Sequence, residues 1–303
     1  MLLAAGLGLR LRPLTSVVPK ALCPVGNITM LDRAIANVAS LGLGGPDDVA
    51  VNAWHLSAAI VDAVGDRAHV GVETGPEPLG SAGGIAALRD WIDGRDVVVA
   101  NADAYLAGGD LSGLTRRWTG AEVRMLGVRA PKGRREFGTY RFAGFSVIPW
   151  HYVERLRAEP TDLVRTVWRP AESRGRFQLV DYRGDYIDCG TPADYLAANL
   201  HAAGARDRQA AGTHAATRPL GHHKATATRH RQLDLETSLI AAGADITGKV
   251  VGSVIGAAAS VAGEVERSVV WAGAVVAADE HLSDAIRFGT GAQATVQCQH
   301  PAR

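Results

Sequence analysis

Along the first hundred residues, short apolar runs alternate with stretches in which apolar residues recur every three or four positions. Leu2 to Ala5 is an apolar run that reads as the end of a buried strand. Leu31, Ile35, Val38 and Leu41 recur at helical spacing, and Gly42 and Gly44 end that run. Asp48–Asn52, His69–Val72 and Val97–Ala100 read as strands, Leu56–Val64 and Ser81–Ile92 as helices, and Ala193–Ala202 as a later helix. Strands alternating with helices predict an α/β domain with a mostly parallel sheet covered on both faces. In such sheets ligands bind beyond the carboxyl ends of the strands. Gly6 and Asp103 both fall at such ends.

The periodicity changes near the C-terminus. Ser238-Leu-Ile, Ser253-Val-Ile and Ser268-Val-Val begin three segments spaced 15 residues apart. Within them Ile240 and Ile246, Ile255 and Val261, and Val270 and Val276 are each separated by six positions, with small residues and glycine between. A branched residue at every sixth position predicts a hexapeptide β-helix, left-handed and short, with those side chains stacked inside the coil. Between the two patterns the composition shifts to Ala, Thr, Arg and His. His214, His222, His223 and His230 are irregularly spaced there with no cysteine beside them, which reads as a solvated linker and not a metal tract. The expected organisation is a first domain over 1–203, a flexible linker over 204–236, a β-helix over 237–289 and a tail over 290–303. So short a coil buries little surface by itself. It is expected to pack on the first domain or on another subunit, giving a homo-oligomer, with Trp271, if exposed on its coil, as a candidate anchor.

Composition narrows the partners. Thirty-two basic and 31 acidic residues give a net charge of +1, which offers no electrostatic reason for nucleic acid or membrane partners. No apolar run reaches the length of a membrane span, and the N-terminus lacks a signal-peptide pattern. Cys23, Cys189 and Cys298 form no Cys-x-x-Cys pair, so neither a disulfide framework nor a zinc site is indicated, and a reducing cytoplasm fits.

The richest chemistry lies in the first 25 residues, Leu-Leu-Ala-Ala-Gly-Leu-Gly-Leu-Arg-Leu-Arg-Pro-Leu-Thr followed by Ser-Val-Val-Pro-Lys-Ala-Leu-Cys-Pro-Val. Gly6 and Gly8 at a strand's exit let the backbone turn and approach a ligand, with N–H groups free to point at phosphate oxygens. Arg10 adds a planar cationic fork and Lys20 a second cation, a set suited to a polyphosphate beside another phosphate. The run is not a Walker loop, lacks the third glycine of the dinucleotide fingerprint (Leu11 stands there), and has no kinase catalytic loop to follow it. Taken singly, the features have plainer readings: the glycines as a turn, Ser81 as a helix cap, Asp103 and Asp188 as loop residues.

As a whole, the run resembles the signature of the sugar-phosphate nucleotidylyltransferases, and among them the guanylyltransferase-like members that carry a C-terminal β-helix. Glu77-Pro-Leu-Gly-Ser-Ala-Gly-Gly84, Asn101-Ala-Asp103 and Ile187-Asp-Cys-Gly-Thr-Pro192, with Tyr195, Leu196, Ala198 and Asn199, match further family segments. The resemblance implies a Rossmann-like nucleotidylyltransferase fold with the following roles. Ala5, Gly6, Gly8 and Arg10 hold the nucleoside triphosphate. Lys20 meets the phosphates at the reacting centre. Gly80, Ser81 and Gly83 seat the nucleoside, and Gly144 lies at the sugar. Asp103 and Asp188 bind Mg²⁺, whose preference for oxygen ligands two carboxylates and a triphosphate would satisfy. The substrates implied are an NTP and a sugar 1-phosphate, giving a nucleotide-sugar and pyrophosphate. GTP with mannose 1-phosphate is the first expectation; uridylyl or thymidylyl transfer to a glucose-type sugar, or a non-catalytic nucleotide-sugar-binding regulatory subunit, are the alternatives. A hexapeptide acyltransferase would need a longer coil and a catalytic histidine, where only His281 is near.

The chain departs from the family at the sugar. No Glu-Lys-Pro segment is present, and Phe142 stands where the family has an asparagine before Gly144. Fewer polar contacts to the sugar hydroxyls imply weak discrimination among hexose 1-phosphates. Only Met1, Leu2 and Leu3 precede Ala4-Ala5-Gly6, where the family has a longer central strand. The expectation is therefore a translation start further upstream.

Overall fold

A computed structural model describes residues 1–212, 238–289 and 293–298, with backbone alone over 205–212. The linker histidines lie outside the described residues. The chain divides into two compact units. The first comprises Met1–Leu9, Leu14–Cys23 and Thr29–Asp188; the second comprises Arg10–Pro13, Pro24–Ile28 and Cys189–Arg303. The two units divide at Asp188, and the N-terminal signature is shared between them.

The first unit is built on a seven-stranded sheet. Its strands are β1 (Leu2–Leu3), β2 (Ala50–Ala53), β3 (His69–Val72), β4 (Val97–Asn101), β6 (Val123–Arg129), β7 (Tyr140–Ile148) and β8 (Phe177–Asp181), while β5 (Ala104–Ala107) and β9 (Asp185–Asp188) form a separate antiparallel pair. The sheet order is β8-β6-β7-β4-β1-β2-β3. β1 pairs parallel with β2 and β4, and β2 with β3, as the alternating pattern predicts; β7 runs antiparallel to both β4 and β6. Side chains alternate between the two faces and form two buried clusters. Leu2, Val51, Ala53, Ala143 and Phe145 lie in one, and Ala50, Val97, Val99, Met125 and Ile148 in the other.

The central strand β1 has two residues, and the Met1 amino group donates to the Val98 carbonyl at 2.8 Å. Burial pushes that amine down to about 5.

Helix α1 (Met30–Ala39) starts at Thr29, whose hydroxyl accepts from Asp32 N at 3.0 Å, satisfying a first-turn donor. Helix α2 is Ser57–Val64. The helix expected over Ser81–Ile92 is broken into α3 (Gly80–Ala87) and α4 (Arg89–Ile92) at Leu88. Ser81 does not cap it: Leu79 occupies the cap position without a side-chain bond, and the Ser81 hydroxyl is engaged elsewhere.

In the second unit helix α5 (Pro192–Gly212) continues well past Ala202, into the stretch expected to be linker. It opens on Thr191, whose Oγ1 accepts from Asp194 N at 3.2 Å, with proline at the first helical position, where its missing N–H is not needed. The serine-led repeats form three parallel sheets. Leu239–Ile240, Val254–Ile255, Val269–Val270 and Ala285–Phe288 stack in one, Asp245–Ile246, Ser260–Val261 and Val275–Val276 in another, and Lys249–Val251, Glu264–Glu266 and His281–Ser283 in the third. Recurrence of the same three strands in order is the topology of a parallel β-helix. Its core includes Ile246, Ile255, Val261, Val270 and Val276 from the repeat positions, with Val250, Val265 and Leu282 from the third sheet, and Ile240 packs half-buried against it. The serines make a ladder: Ser268 N donates to Ser253 Oγ at 3.0 Å, and Ser253 N to Ser238 Oγ at 3.2 Å. Part of the expected tail is a strand, Ala294–Gln297, paired antiparallel with Ala285–Phe288.

Trp271 is buried, so the condition for its serving as a surface anchor is not met. Its Nε1 donates to Tyr195 Oη at 3.0 Å, and its ring packs on Tyr195 and Phe288. Asn199 Oδ1 accepts from Gly26 N, and Asn27 Nδ2 donates to Ile255 O, each at 2.9 Å. The coil is therefore fastened to α5 and to the end of the signature within one unit. No helix of the described residues is long and apolar enough to cross a membrane.

Candidate active site

The two aspartates are brought together by strand register. Asp103 lies in the turn between β4 and β5, and β9 returns antiparallel to β5 with Asp188 opposite Ala104. That pairing sets the carboxylates on neighbouring positions although 85 residues separate them in sequence. Lys20 enters between them from a short 3₁₀ turn, Lys20–Leu22, that follows Pro19. Its Nζ donates to Asp103 Oδ2 at 2.7 Å and lies 3.8 Å from Asp188 Oδ1. Lys20 is buried while both aspartates remain partly open, so its ammonium holds the two carboxylates from beneath and leaves them a face toward solvent.

The glycine loop borders this cluster. Gly8 has φ +62, and a Cβ there would lie 2.8 Å from Thr15 Cγ2 and 3.2 Å from Lys20 Cβ. Only glycine meets both the left-handed backbone and the close approach. Thr15 Oγ1 donates back to Gly8 O at 2.9 Å, and the Thr15 carbonyl lies 2.9 Å from His55 Nε2. A Cβ at Gly6 would meet nothing within 4 Å, so the backbone is open to an incoming group there. Ala5 is buried at the base of the loop. Arg10 belongs to the second unit, where a Cβ at Gly190 would lie 2.8 Å from its Nη2; the glycine lets the guanidinium rest on the chain.

The second glycine-rich stretch is built differently. A Cβ at Gly80 would fall 2.5 Å from the Thr161 carbonyl oxygen, and one at Gly83 2.2 Å from that of Glu159. Ala82 N donates to Thr161 O at 3.2 Å, Thr161 N to Leu79 O at 3.0 Å, and Leu163 N to Ser81 Oγ at 2.9 Å. These residues receive the chain segment 159–163, a structural duty that the resemblance did not imply.

Asn52 and Glu73 were not singled out in the sequence, yet they join the two glycine stretches. Asn52 Oδ1 accepts from Ala4 N at 2.8 Å, its Nδ2 donates to Glu73 Oε1 at 2.7 Å, and Glu73 Oε2 accepts from Leu79 N at 2.8 Å. Both side chains are buried. Their place at the carboxyl ends of parallel strands β2 and β3 is the signal that could have found them.

Gly144, on β7, has φ +80 and would place a Cβ 3.1 Å from Ala104 Cβ, beside the Asp103 turn. Phe142 points away into an aromatic group, its ring 4.7 Å from that of Trp168. Arg141 turns the other way: its guanidinium stacks 4.8 Å from the Tyr186 ring centre and its Nη2 donates to the Tyr186 carbonyl at 3.4 Å. Burial holds the Tyr186 phenol well above its ordinary range; Asp188 and Asp103 push the same way and Arg141 opposes.

Asp103 and Asp188 offer oxygen donors only, on adjoining positions with an open side, which fits a hard divalent cation such as Mg²⁺. Among the described residues no group of three or more His, Cys, Asp or Glu could enclose a metal ion, which suits a cation held by two carboxylates and completed by water or substrate oxygens.

Residues 1–148 match the family described as Nucleotidyl transferase. The N-acetylmuramate alpha-1-phosphate uridylyltransferase of Neisseria meningitidis serogroup B is 35% identical over 108 residues, covering 34% of this chain and 46% of that protein. The mannose-1-phosphate guanylyltransferase of Mycobacterium tuberculosis is 27% identical over 177 residues, 54% of this chain and 46% of that protein. The Schizosaccharomyces pombe mannose-1-phosphate guanyltransferase is 24% identical over 228 residues, 65% and 62% of the two chains. The chain thus spans about half the length of the first two of these relatives. Among solved structures, HddC from Yersinia pseudotuberculosis superposes with a TM-score of 0.54 at 18% identity, covering 66% of this chain and 97% of that one. That likeness is one of fold.

Proposed function

The chain belongs to the sugar-phosphate nucleotidyltransferase family, and from that membership we propose that it transfers a nucleoside monophosphate from an NTP to a sugar 1-phosphate, releasing pyrophosphate. The observation that carries the reading is Lys20 set between Asp103 and Asp188 beside an open glycine loop. A sugar-phosphate oxygen attacks the α-phosphorus in line and pyrophosphate leaves. Such chemistry needs positioning and charge neutralisation more than a protein nucleophile. Ala5, Gly6 and Gly8 offer backbone to the triphosphate, Arg10 supplies a cation for the departing phosphates, and Lys20 supplies one at the reacting centre. Gly80, Ser81 and Gly83 shape the nucleoside side. Asp103 and Asp188 would hold Mg²⁺, which supplies charge neutralisation on phosphate oxygens when bound.

GTP and mannose 1-phosphate are the specific substrates we propose, supported by relatives of that activity whose similarity extends over 54% and 65% of the chain. Uridylyl transfer is the second reading, favoured by the higher identity of the N-acetylmuramate alpha-1-phosphate enzyme over its shorter match. The test is pyrophosphate release with GTP, UTP and dTTP, each against mannose, glucose and N-acetylmuramate 1-phosphates, with and without Mg²⁺. Turnover by one base across several sugars supports the weak sugar discrimination expected from the missing Glu-Lys-Pro. No release from any pair sinks the transferase reading.

A further inference from the structure

The absence of Glu-Lys-Pro and the packing of Phe142 on Trp168 leave a question of what holds the acceptor. Tyr186 and Asp188 are two apart on β9, so their side chains lie on one face of that strand. Asp188 is the carboxylate that Lys20 approaches, and Tyr186 is the ring on which Arg141 is stacked. Arg141 and Phe142 are consecutive on β7 and therefore point to opposite faces. Phe142 packs with Trp168 against one buried cluster, while Ala143, on the Arg141 side, and Tyr186 belong to the other. The position at which the family carries an amide thus packs against the Trp168 cluster, and its neighbour brings a cation to the face of β9 that carries Asp188.

That cation is held but not neutralised. Its contacts are the Tyr186 ring and one carbonyl oxygen, and among the described residues Arg141 has no carboxylate partner. A guanidinium carries five N–H donors in a planar fork that matches phosphate, and one donor is used here, at 3.4 Å. Stacking on an aromatic ring fixes the plane of the fork without consuming its charge. Gly144, three residues on, keeps the space beside Ala104 free of a side chain.

We infer that Arg141, oriented by Tyr186, binds the phosphate of the acceptor sugar 1-phosphate and does the anchoring work that sugar-hydroxyl contacts cannot do in this chain. The inference rests on the transferase reading and deepens it. It also gives a physical reason for weak sugar discrimination: an acceptor held by its phosphate is held alike whatever its hydroxyl pattern.

Initial-rate kinetics test it. Arg141→Gln is expected to raise the KM for α-D-mannose 1-phosphate and α-D-glucose 1-phosphate by about 10- to 100-fold, the scale of a lost charge-assisted pair, and to leave the KM for the NTP within about twofold. Arg141→Lys recovers part of the loss, since the charge returns without the fork. Tyr186→Leu removes the stacking platform and raises the same KM severalfold, with folding checked by thermal melting. An unchanged acceptor KM in Arg141→Gln, or a rise in the NTP KM instead, overturns the inference. Calorimetric titration of the same hexose 1-phosphates into wild type and Arg141→Gln separates this failure from failure of the transferase reading. Binding lost in the variant supports Arg141 even in a protein that turns nothing over. Equal binding, or no binding by wild type, overturns it.

Discussion

Two glycine-rich stretches, Gly6–Gly8 and Gly80–Gly84, look alike in composition and differ most at Gly6. Around Gly6 the space a side chain would take is empty; around Gly80 and Gly83 it is filled by the backbone of residues 159–161. Gly6 leaves room for a ligand to approach, whereas Gly80 and Gly83, like Gly8 against Thr15 and Lys20, are glycine because the protein approaches itself. The Asn52–Glu73 bridge couples them, because it fastens Ala4 at one end and Leu79 at the other. A glycine motif read from sequence alone does not say which kind it is. Only the nearest atoms to the absent Cβ do.

The largest effect should come from the charge cluster beside the open loop. Lys20→Ala leaves Asp103 and Asp188 facing each other without their shared cation. It should lose about 10²–10³-fold in turnover, the scale for one missing charge-stabilising donor. Asp188→Ala should do at least as much while the protein stays folded. Wild-type pyrophosphate release from both variants would remove the site assignment.

Next comes the contrast itself. Gly83→Ala forces a methyl onto the Glu159 carbonyl oxygen and should destabilise by about 1–3 kcal/mol in urea unfolding. Gly6→Ala meets no protein atom and should stay within about 0.5 kcal/mol of wild type, yet raise the KM for the NTP. If the two variants exchange behaviours, the comparison is wrong.

Ser81→Ala is a finer test. The Ser81 hydroxyl accepts from Leu163 N, so its removal should cost about 1–2 kcal/mol by leaving that donor unpaired. A loss of nucleotide affinity at unchanged stability would instead show that the hydroxyl serves the nucleoside, as the family resemblance implied.

The smallest expected signal is at Cys23, whose thiol burial pushes up to about 12. It should resist thiol reagents at pH 8 until the chain unfolds. The raised value also gives a sign for stability. Below pH 9 both states hold the proton; above it the unfolded chain releases it first, so the stabilising contribution declines from pH 9 toward about 12. Labelling of Cys23 in the native protein at pH 8 would show that this region opens.

Much of the architecture was legible because it is periodic. The strand–helix alternation of the first hundred residues and the six-residue spacing of the coil each express a local geometry, and local geometry repeats in the chain. The strand expected over His69–Val72 has those bounds, and of the six branched repeat positions Ile246, Ile255, Val261, Val270 and Val276 lie in the coil core while Ile240 packs half-buried against it. Strands β8 and β9 escaped because they pair with strands far away in sequence and their burial is mixed. Phe177–Asp181 and Asp185–Asp188 show no residue in the fully buried class, hence no clear apolar alternation.

By itself the sequence determined the residue types of the site: a glycine loop, a lysine after proline, and aspartates at strand ends, since these depend on short motifs. The tertiary structure alone decided their relations. It set Asp188 against Ala104 by strand register, placed Phe142 on Trp168 and Arg141 on Tyr186 from opposite faces of one strand, and buried Trp271 against Tyr195. The physical reason is that register and facing are set by which distant surfaces exclude water together, and no window of the chain contains both surfaces.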